Sequence, residues 1–374
     1  MRIAVIASFT YSLTNFRLQL LREMVKAGHE VIAFAPDPDP VVAKALEDEN
    51  IRFVQIPMAR TGLNPLQDLH TLVTLWRQFR QLKPDIVLPY TMKPVIYACL
   101  AARAAGVSRR FALITGLGQV FATENPKGRQ AVLQRLSVAL YRVALRGVDR
   151  VFVYNDADDR DIRKHKLIDN YSLISLIPGS GVDLSHYTMT TPPTSPPVFL
   201  LIARLLREKG ICEFVEAVRH LRQRFPDIRA QLLGPFEPNA AGISQADIDK
   251  WTAEGLVEYL GETRDVRPYF ANCSVFVLPS YYREGIPRSI LEAMASGRAI
   301  VTTDLPGCRD TVVEGQNGYL VPPRDPLALA KAMESFIATP SATIEMGRRS
   351  NQIARERFNV HAVNRLLLTQ MGLS

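Results

Sequence analysis

A proline within residues 284–292, EGIPRSILE, marks the start of a predicted apolar helix. Proline is favoured at the first position of a helix, so Pro287 is expected to begin this one. The first backbone N–H groups of a helix have no partner inside it, and here they belong to Arg288, Ser289 and Ile290. Because these groups lie at the positive end of the helix dipole, they are predicted to form a binding site for phosphate.

Two carboxylates flank this predicted phosphate site. Glu284 lies in the loop before the helix, whereas Glu292 lies one turn further in, with its side chain leaning back toward the helix N-terminus. Phosphate between two carboxylates suits a nucleotide-sugar, with one acid for the ribose and one for the hexose. The alternative is an ordinary surface acid before a helix and an ordinary acid on its face. The apolar neighbours of Glu292 favour the first interpretation.

Arg204 and Lys209 form a second candidate cluster, directly after a strand predicted at residues 198–203. Ligands of open α/β sheets bind at the carboxyl ends of the strands. An arginine can hold a diphosphate through two parallel hydrogen bonds, and a lysine adds a point charge. Solvation of a helix start is the alternative role. The additional presence of the 284–292 motif favours diphosphate binding.

The two segments resemble the motifs of a known enzyme family. Residues 284–297 resemble the Glu-x7-Glu motif of the retaining glycosyltransferases of family 4, and residues 204–210, RLLREKG, resemble their Arg-x4-Lys-Gly diphosphate motif. The two motifs stand 80 residues apart, in the order that the family shows. The resemblance implies the GT-B fold, an α/β architecture of two Rossmann-like, doubly wound domains that face a cleft.

The same resemblance implies roles for single residues. Glu284 would bind the transferred sugar and stabilise positive charge near its anomeric carbon, while Arg204 and Lys209 stabilise the leaving diphosphate. Glu292 would hydrogen-bond the ribose hydroxyls of a UDP-sugar. The other implied donor-binding residues are Ile286, Pro287, Arg288, Ser289 and Gly116. GT-B enzymes generally work without a bound metal, so the UDP-sugar is expected as a co-substrate and no cofactor is expected.

Residues 281–289 and 115–118, TGLG, are similar to a branch of the family that builds bacterial surface glycans. Members of that branch add galactose, N-acetylgalactosamine or a related sugar to saccharides linked to undecaprenyl diphosphate. Several relatives place a catalytic histidine near residues 115–118, and this chain has none there. The glycines of that segment either let the backbone approach the donor or form a tight turn.

The acceptor is expected to contact the loop at residues 8–17, which follows the first predicted strand. Its candidate contacts are Thr14, Asn15 and Arg17. Many relatives carry glycines in this loop, and this chain carries none. The alternative is purely structural, with Thr14 as a helix N-cap and Arg17 as a solvated helix residue.

The composition is that of a water-soluble, two-domain protein. The chain has 374 residues, of which 47% are hydrophobic and 22% charged, and its four cysteines form no CxxC pair. Scattered cysteines favour a reducing, cytoplasmic compartment, and no predicted segment has the length and apolarity of a signal peptide or a membrane span. The six histidines show no metal-ligand spacing. The Asp-x-Asp pairs at residues 37–39 and 156–158 resemble a metal-binding motif. The first is interpreted instead as part of a Pro-rich loop and the second as a helix start.

The net charge of +8 is concentrated in the first half. Residues 1–190 carry 24 Lys and Arg against 17 Asp and Glu, a net charge of +7. An anionic partner is therefore predicted, with a solvated face as the alternative. Nucleic acid is disfavoured because basic and aromatic residues are not interleaved. Residues 127–146 form a basic amphipathic stretch that suits peripheral binding to an anionic membrane, expected at the inner face of the bacterial cytoplasmic membrane.

The candidate site residues lie between apolar runs that alternate with amphipathic stretches. This alternation is typical of βαβ units and a parallel sheet. Strands are predicted at residues 2–8, 30–35, 51–56, 85–90, 111–115, 150–154, 173–177, 198–203, 230–234, 274–279, 299–303 and 318–321. Helices are predicted at residues 15–27, 65–82, 93–105, 127–146, 210–224, 265–271, 288–296 and 327–337. The predicted domains are an acceptor-binding domain at 1–187, a Pro-rich hinge at 188–197, a donor-binding domain at 198–356 and a C-terminal helix at 357–374 that returns to the first domain.

Two other functions fit parts of this pattern. A nucleotide-sugar epimerase shares the fold and binds the same donor, but its product forms without an acceptor. A non-enzymatic ligand-binding protein of two α/β domains joined by a hinge is the second alternative. Such binding proteins are usually exported, and the absence of a predicted signal peptide disfavours this function. The favoured prediction is a retaining hexosyltransferase.

Overall fold

The structure, a computed structural model, describes residues 1–59, 62, 64–121, 126–193, 196–237 and 241–373. The chain forms two compact units, which are Met1–Ser180 with Val360–Ser374 and Gly181–Asn359. Two residues of the predicted hinge, 194 and 195, lie outside the described residues. The rest of that segment belongs to the second unit.

The first unit is a parallel sheet covered by helices. Its strands are β1 (Arg2–Ile6), β2 (Glu30–Ala35), β3 (Arg52–Gln55), β4 (Ile86–Pro89), β5 (Arg109–Ile114), β6 (Arg150–Val153) and β7 (Ile174–Leu176). Its helices before residue 180 are α1 (Tyr11–Asn15), α2 (Leu18–Lys26), α3 (Pro40–Glu47), α4 (Pro65–Leu82), α5 (Met92–Ala105), α6 (Gly128–Ala144) and α7 (Asp156–Lys164). Every strand predicted for this half coincides with an observed one.

The second unit repeats the design. Its strands are β8 (Val198–Ile202), β9 (Arg229–Leu233), β10 (Glu258–Tyr259), β11 (Val275–Leu278), β12 (Ala299–Thr303) and β13 (Gly318–Val321). Its helices are α8 (Ile211–Arg222), α9 (Gln245–Ala253), α10 (Arg267–Ala271), α11 (Arg288–Ala295), α12 (Pro326–Ala338) and α13 (Pro340–Arg357). The sequence pattern missed β10, because a strand of two residues carries no periodicity.

The final helix, α14 (Val360–Gln370), belongs to the first unit, as predicted. It packs against α2, where Glu23 receives a hydrogen bond from Asn364 (3.3 Å) and lies 2.8 Å from the His361 ring nitrogen. Arg109 also donates to the carbonyl of Met371. These contacts anchor the end of the chain on the first unit.

Both sheets are parallel and share one topology. The first runs β3-β2-β1-β4-β5-β6-β7, and the second runs β10-β9-β8-β11-β12-β13. The strand order therefore reverses between β1 and β4 and again between β8 and β11. The central strands are buried on both faces, which explains their nearly continuous apolar sequence. Such reversal points are where doubly wound folds bind their ligands.

Helix boundaries follow local capping chemistry. Asn64 caps α4 by accepting from the N–H groups of Leu66 and Gln67, and Pro65 occupies the first helical position. Ser244 begins α9 with a capping box. The predicted helix at residues 15–27 is wrong in one respect. Asn15, the first residue of the predicted helix, is the last residue of α1. Phe16 and Arg17 interrupt the helix, and α2 begins at Leu18.

Candidate active site

The two motif clusters of the second unit meet at its reversal point. Arg204 and Lys209 follow β8, Glu284 follows β11, and these two strands are neighbours in the sheet. Because parallel strands end at the same edge, residues distant in sequence come together there. The ammonium of Lys209 forms an ion pair with the Glu284 carboxylate, across 75 positions of sequence. The contact between the two predicted motifs is thus a direct one.

The surroundings of this ion pair hold it in place. The side chains of Lys209 and Glu284 are only 13% and 11% exposed. Ser280 donates a hydrogen bond to the Glu284 carboxylate (2.9 Å), and the Lys209 ammonium lies 4.9 Å from the centre of the Tyr282 ring. Burial strengthens the attraction between the two charges, because water screens it less. Sequence reasoning missed Ser280, although a small polar residue at a strand end was available as a signal.

Backbone contacts join the loops that carry Lys209 and Glu284. The carbonyl of Glu208 accepts hydrogen bonds from the N–H groups of Tyr281 and Tyr282, each at 2.9 Å. Gly210 has a φ of 78°, and a β-carbon there would overlap the carbonyl group of Pro279. Only glycine permits this close approach. The position of Lys209 beside Glu284 is therefore determined by main-chain geometry as well as by charge.

The end of β12 and the loop that follows it contact the segment that carries Glu284. The hydroxyl of Thr303 donates to the carbonyl of Ser280. Gly307 has a φ of 83°, and a β-carbon there would overlap the carbonyl of Gly285. Cys308 lies fully buried nearby, and burial, followed by the charge of Glu284, raises the pKa of its thiol to about 12. This thiol is therefore protonated and unreactive at neutral pH.

The helix start at α11 differs from the prediction by one residue. Pro287 has a ψ of 118°, so it is the N-cap, and Arg288 is the first helical residue. The N–H of Ile290 donates to the Pro287 carbonyl (3.1 Å), so the expectation of a free amide at this position is wrong. The reason is that the carbonyl of an N-cap residue already accepts the first helical bond. The described geometry thus leaves at most the earlier amides for a phosphate.

Glu292 is buried and paired. Its carboxylate receives a hydrogen bond from the guanidinium of Arg288 (3.0 Å), with side-chain exposures of 7% and 15%. Arg288 also donates to the carbonyl of Gly181, in the segment that begins the second unit. Two of the predicted donor-binding residues therefore form one ion pair at the start of α11. Of the remaining three at this position, Ile286 and Pro287 are buried and Ser289 is half-buried.

Arg204 pairs with a carboxylate that the sequence analysis did not name. Its guanidinium lies 2.7 Å from Glu237, which follows β9. The Arg204 and Glu237 side chains are 30% and 16% exposed. Nothing in the spacing of the sequence connects these two residues, because their proximity depends on the pairing of β8 with β9. Lys209, Arg204 and Arg288 are thus each paired with a carboxylate.

The first unit presents a different cluster at its own reversal point. Arg17 is 5% exposed, so the alternative of a solvated helix residue is wrong. Its guanidinium lies 4.9 Å from the centre of the Tyr90 ring and donates to the Tyr154 hydroxyl. Burial raises the pKa of Tyr90 to about 12, although the charge of Arg17 acts in the opposite direction. The hydroxyls of Ser12 and Tyr90 lie 2.7 Å apart.

The other predicted residues of this unit are placed less centrally. Thr14 lies inside α1 and donates to the carbonyl of Tyr11 (3.2 Å), so its alternative role as an N-cap is wrong. Asn15 is the last residue of α1 and is half-buried. Gly116 has a φ of 125°, which favours glycine, in the loop after β5. Its role in donor binding stays a prediction.

Across the described ranges, no group of three or more His, Cys, Asp or Glu side chains is placed to hold a metal ion. Within the same described part of the chain, each helix falls short of the length and apolarity that a crossing of the bilayer requires. Metal-independent chemistry stays a prediction.

Comparisons with known protein families agree with the two motif clusters. The family model described as Glycosyl transferases group 1 matches residues 196–339. The family model described as Glycosyl transferase 4-like domain matches residues 14–174. The first match contains the Lys209–Glu284 pair and the second contains Arg17.

Individual relatives span most of the chain. The N,N'-diacetylbacillosaminyl-diphospho-undecaprenol alpha-1,3-N-acetylgalactosaminyltransferase of Campylobacter jejuni is 26% identical, over 95% of this chain and 94% of its own. The UDP-Gal:alpha-D-GlcNAc-diphosphoundecaprenol alpha-1,3-galactosyltransferase of Escherichia coli is 25% identical, over 73% of this chain and 72% of its own.

A solved structure shares the fold. HepE of Anabaena, solved in complex with UDP-glucose, matches with a TM-score of 0.76 at 19% identity, covering 100% of this chain and 99% of its own. The fold, the motifs and the two family matches lead to one conclusion: this chain belongs to the group 1 glycosyltransferases of family 4 and has the GT-B fold.

Proposed function

We propose that this protein transfers a hexose or N-acetylhexosamine from a UDP-sugar, with retention of configuration, to a saccharide carried on undecaprenyl diphosphate. The product would enter bacterial surface-glycan synthesis. One observation carries the proposal, the buried Lys209–Glu284 ion pair at the ends of β8 and β11. The names of two relatives support the acceptor, because both contain a diphospho-undecaprenol saccharide. UDP in the name of one relative and in the HepE complex supports the donor.

The chemistry follows from charge. Transfer breaks the bond between the anomeric carbon and the diphosphate, so negative charge grows on the leaving group. Lys209 and Arg204 supply positive charge at the same sheet edge, and their present carboxylate partners occupy the places that a diphosphate would take. Removal of one preorganised contact of this kind typically costs about 3 kcal/mol, or about 10²–10³ in rate. The two side chains thus do the work that a metal ion does in other transferases.

The two carboxylates then have separate tasks. Glu284, released from Lys209 and still bonded to Ser280, binds the transferred sugar and stabilises positive charge near the anomeric carbon. Glu292 accepts hydrogen bonds from the ribose, while Arg288 keeps its buried charge compensated. Ile286, Pro287 and the first amides of α11 complete the donor site. Water must be excluded, because it would compete with the acceptor hydroxyl.

The first unit is the acceptor-binding part in this proposal. Arg17 at the reversal point and the excess of basic residues suit an acceptor that carries a diphosphate. Thr14 and Asn15 lie on the same segment as Arg17. The enzyme would work in the cytoplasm, bound peripherally to an anionic membrane surface that supplies the lipid-linked acceptor. The basic helix α6 supports this location.

The test uses purified protein with a panel of UDP- and GDP-sugars, with and without a short polyprenyl-diphosphate-linked saccharide. Nucleotide release, product mass and the anomeric configuration of the product are measured, in the presence and absence of EDTA. We expect acceptor-dependent release of UDP, addition of one sugar with the α configuration, and no effect of EDTA. A changed sugar without acceptor would instead identify an epimerase, and loss of turnover in EDTA would exclude the metal-free mechanism.

A matched pair of variants separates catalysis from stability. Arg204→Ala removes the cation beside Glu237, and Arg229→Ala removes a similar but more exposed cation beside Glu258, on the neighbouring strands β9 and β10. We expect Arg204→Ala to lower the transfer rate about 10²-fold or more. Arg229→Ala is expected to leave the rate unchanged. Equal rates in both variants would contradict the role of Arg204.

A further inference from the structure

Three helices lie side by side on one face of the first unit. Helix α4 packs against α5, and α5 packs against α6. The connections from β3 to β4, β4 to β5 and β5 to β6 all step in the same direction along the sheet. Because such crossovers are right-handed, they place their helices on the same side. The sides of these helices that point away from the sheet form one surface, here called the α4–α6 face.

Apolar side chains are exposed along this surface. On α4, the stripe of Leu66, Leu69 and Trp76 is 78%, 56% and 38% exposed. On α6, exposed Val132 and Leu136 are one helical turn apart, at 66% and 49% exposure. Single exposed apolar residues are ordinary, but a contiguous group on one face marks an interaction site. Spacings of three and seven residues on α4, and of four on α6, keep each group on one side of its helix.

A groove lies between α4 and α5, beside this stripe. Its volume is about 440 Å³. Val73 and Trp76 line one side, and Leu100, Ala101 and Ala104 line the other. The small side chains of α5 create the depression, since alanine leaves space that a larger residue would fill. The lining of the groove is mostly apolar, which suits a hydrocarbon chain.

Charge identifies the kind of partner. The three helices contain one carboxylate, Asp68, which is buried and bonded to Lys93 at 2.9 Å. The exposed ionised side chains of these helices are therefore all basic. They are Arg77, Arg80, Arg103, Arg129, Arg135 and Arg142. An apolar stripe on helices whose exposed charges are all cationic is complementary to an anionic bilayer. A second copy of the chain would bring like charges together, which disfavours self-association through this face.

We propose that the α4–α6 face binds the surface of an anionic phospholipid bilayer. Leu66, Leu69 and Trp76 insert among the acyl chains, the groove receives one acyl chain, and the arginines of α4–α6 contact lipid phosphates. The inserting element is thus α4, while α6 supplies mainly charge. This inference deepens the proposed function, on which it rests for the membrane partner. It is tested without donor or acceptor.

The experiment uses Trp76 as its own probe. The chain has two tryptophans, so Trp251→Phe leaves Trp76 as the single emitter, and Trp251 lies on α9 in the second unit. Vesicles of phosphatidylcholine are compared with vesicles of phosphatidylcholine mixed with phosphatidylglycerol. We expect a blue shift of the emission and quenching by brominated acyl chains with the anionic vesicles only. Added salt should weaken the effect, because it screens the arginines.

Variants identify the inserting residues. Leu66→Ser with Leu69→Ser removes two exposed leucines from α4, and this change is expected to weaken vesicle binding at least about tenfold. Leu327→Ser is the matched control, since Leu327 is 62% exposed on α12 of the second unit. Activity toward a short, water-soluble acceptor should be unchanged in both variants. That readout distinguishes failure of membrane docking from failure of the proposed function.

Three results would overturn the proposal. An unchanged Trp76 emission with anionic vesicles would show that α4 does not insert. A change in Trp76 emission that occurs only when a polyprenyl-diphosphate saccharide is present would assign the groove to the polyprenyl tail of the acceptor instead. A concentration-dependent dimer that shields Trp76 from an aqueous quencher would assign the face to a second copy.

Discussion

The reversal points of the two sheets have the same topology and different chemistry. In both units the first strand lies beside the fourth strand of its sheet, and polar side chains gather where these strands end. In the second unit, Lys209 is neutralised by a carboxylate within a largely buried ion pair. In the first unit, Arg17 lies against two aromatic rings instead. The shared topology therefore determines where these side chains lie, and the residue types at the strand ends determine which groups they contact.

Lys209 and Arg17 can therefore reach an anionic ligand in different ways. An ion pair between partly buried groups compensates both charges, and an anionic ligand can replace one partner by binding the other. A guanidinium against tyrosine rings keeps its charge while its planar surface is covered. The second arrangement fixes the direction of Arg17, whose guanidinium pairs with no carboxylate among the residues that the structure describes. We therefore expect the second unit to respond strongly to loss of charge and the first unit to respond to loss of orientation.

The largest expected effect is that of Lys209→Ala. This change removes the positive charge next to the leaving diphosphate, so kcat/KM for transfer should fall about 10²–10³-fold. Glu284 keeps its hydrogen bond from Ser280, and the fold should therefore be retained. The measurement is nucleotide release at varied donor concentration, with circular dichroism as the check on folding.

The control for this variant is Lys44→Ala in the first unit. Lys44 forms an ion pair with Asp48 one turn along α3, and the two side chains are 74% and 59% exposed. Exposed pairs contribute little, so neither activity nor melting temperature should change. Equal activity of the Lys209→Ala and Lys44→Ala variants would contradict the proposed catalytic role of the Lys209 charge.

The next effect concerns the backbone that brings the loops together. Gly210→Ala places a methyl group against the Pro279 carbonyl in a left-handed residue, and this overlap should cost about 3 kcal/mol or more. Gly28→Ala has a similar φ of 82° with open space around it, so only about 1 kcal/mol of strain is expected.

Tryptophan fluorescence can report these two changes by unit. Trp76 lies in the first unit and Trp251 in the second, so variants with one tryptophan follow urea unfolding of each unit separately. Gly210→Ala should lower the midpoint seen by Trp251 far more than Gly28→Ala lowers the midpoint seen by Trp76. Similar shifts of the two urea midpoints would mean that the loops carrying Lys209 and Glu284 do not depend on the close approach of Gly210 to the Pro279 carbonyl.

The smallest effect is predicted for Tyr154→Phe. The aromatic ring remains, but the buried guanidinium of Arg17 loses its hydrogen-bond acceptor, at a cost of about 1–3 kcal/mol. We expect a higher KM for the acceptor with an unchanged KM for the donor. Tyr171→Phe is the control, because its hydroxyl contacts the Arg163 carbonyl at 3.4 Å on the surface of the same unit. A raised donor KM in Tyr154→Phe would contradict the division of labour between the units.

Local patterns in the sequence were sufficient for most of the fold. Every predicted strand is present, because apolar β-branched runs between turn residues report burial on both faces of a parallel sheet. The helices α3, α9 and α13 were missed as elements, whereas the helix start predicted at residues 156–158 is confirmed as the start of α7. Only the start of α7, DADDRDIRK, was predicted, because this helix is almost entirely polar and buries only two side chains, so it carries no apolar periodicity.

The sequence by itself determined the family, the two parallel sheets and the residue types of the proposed donor site, because these depend on short-range spacing and on hydrophobic pattern. Only the tertiary structure decided which charges meet. The pairs Lys209–Glu284 and Arg204–Glu237, and the burial of Arg17 between Tyr90 and Tyr154, join residues that are 33 to 137 positions apart. Such contacts arise from the order in which strands pair, and strand order is a property of the whole sheet that no local segment encodes.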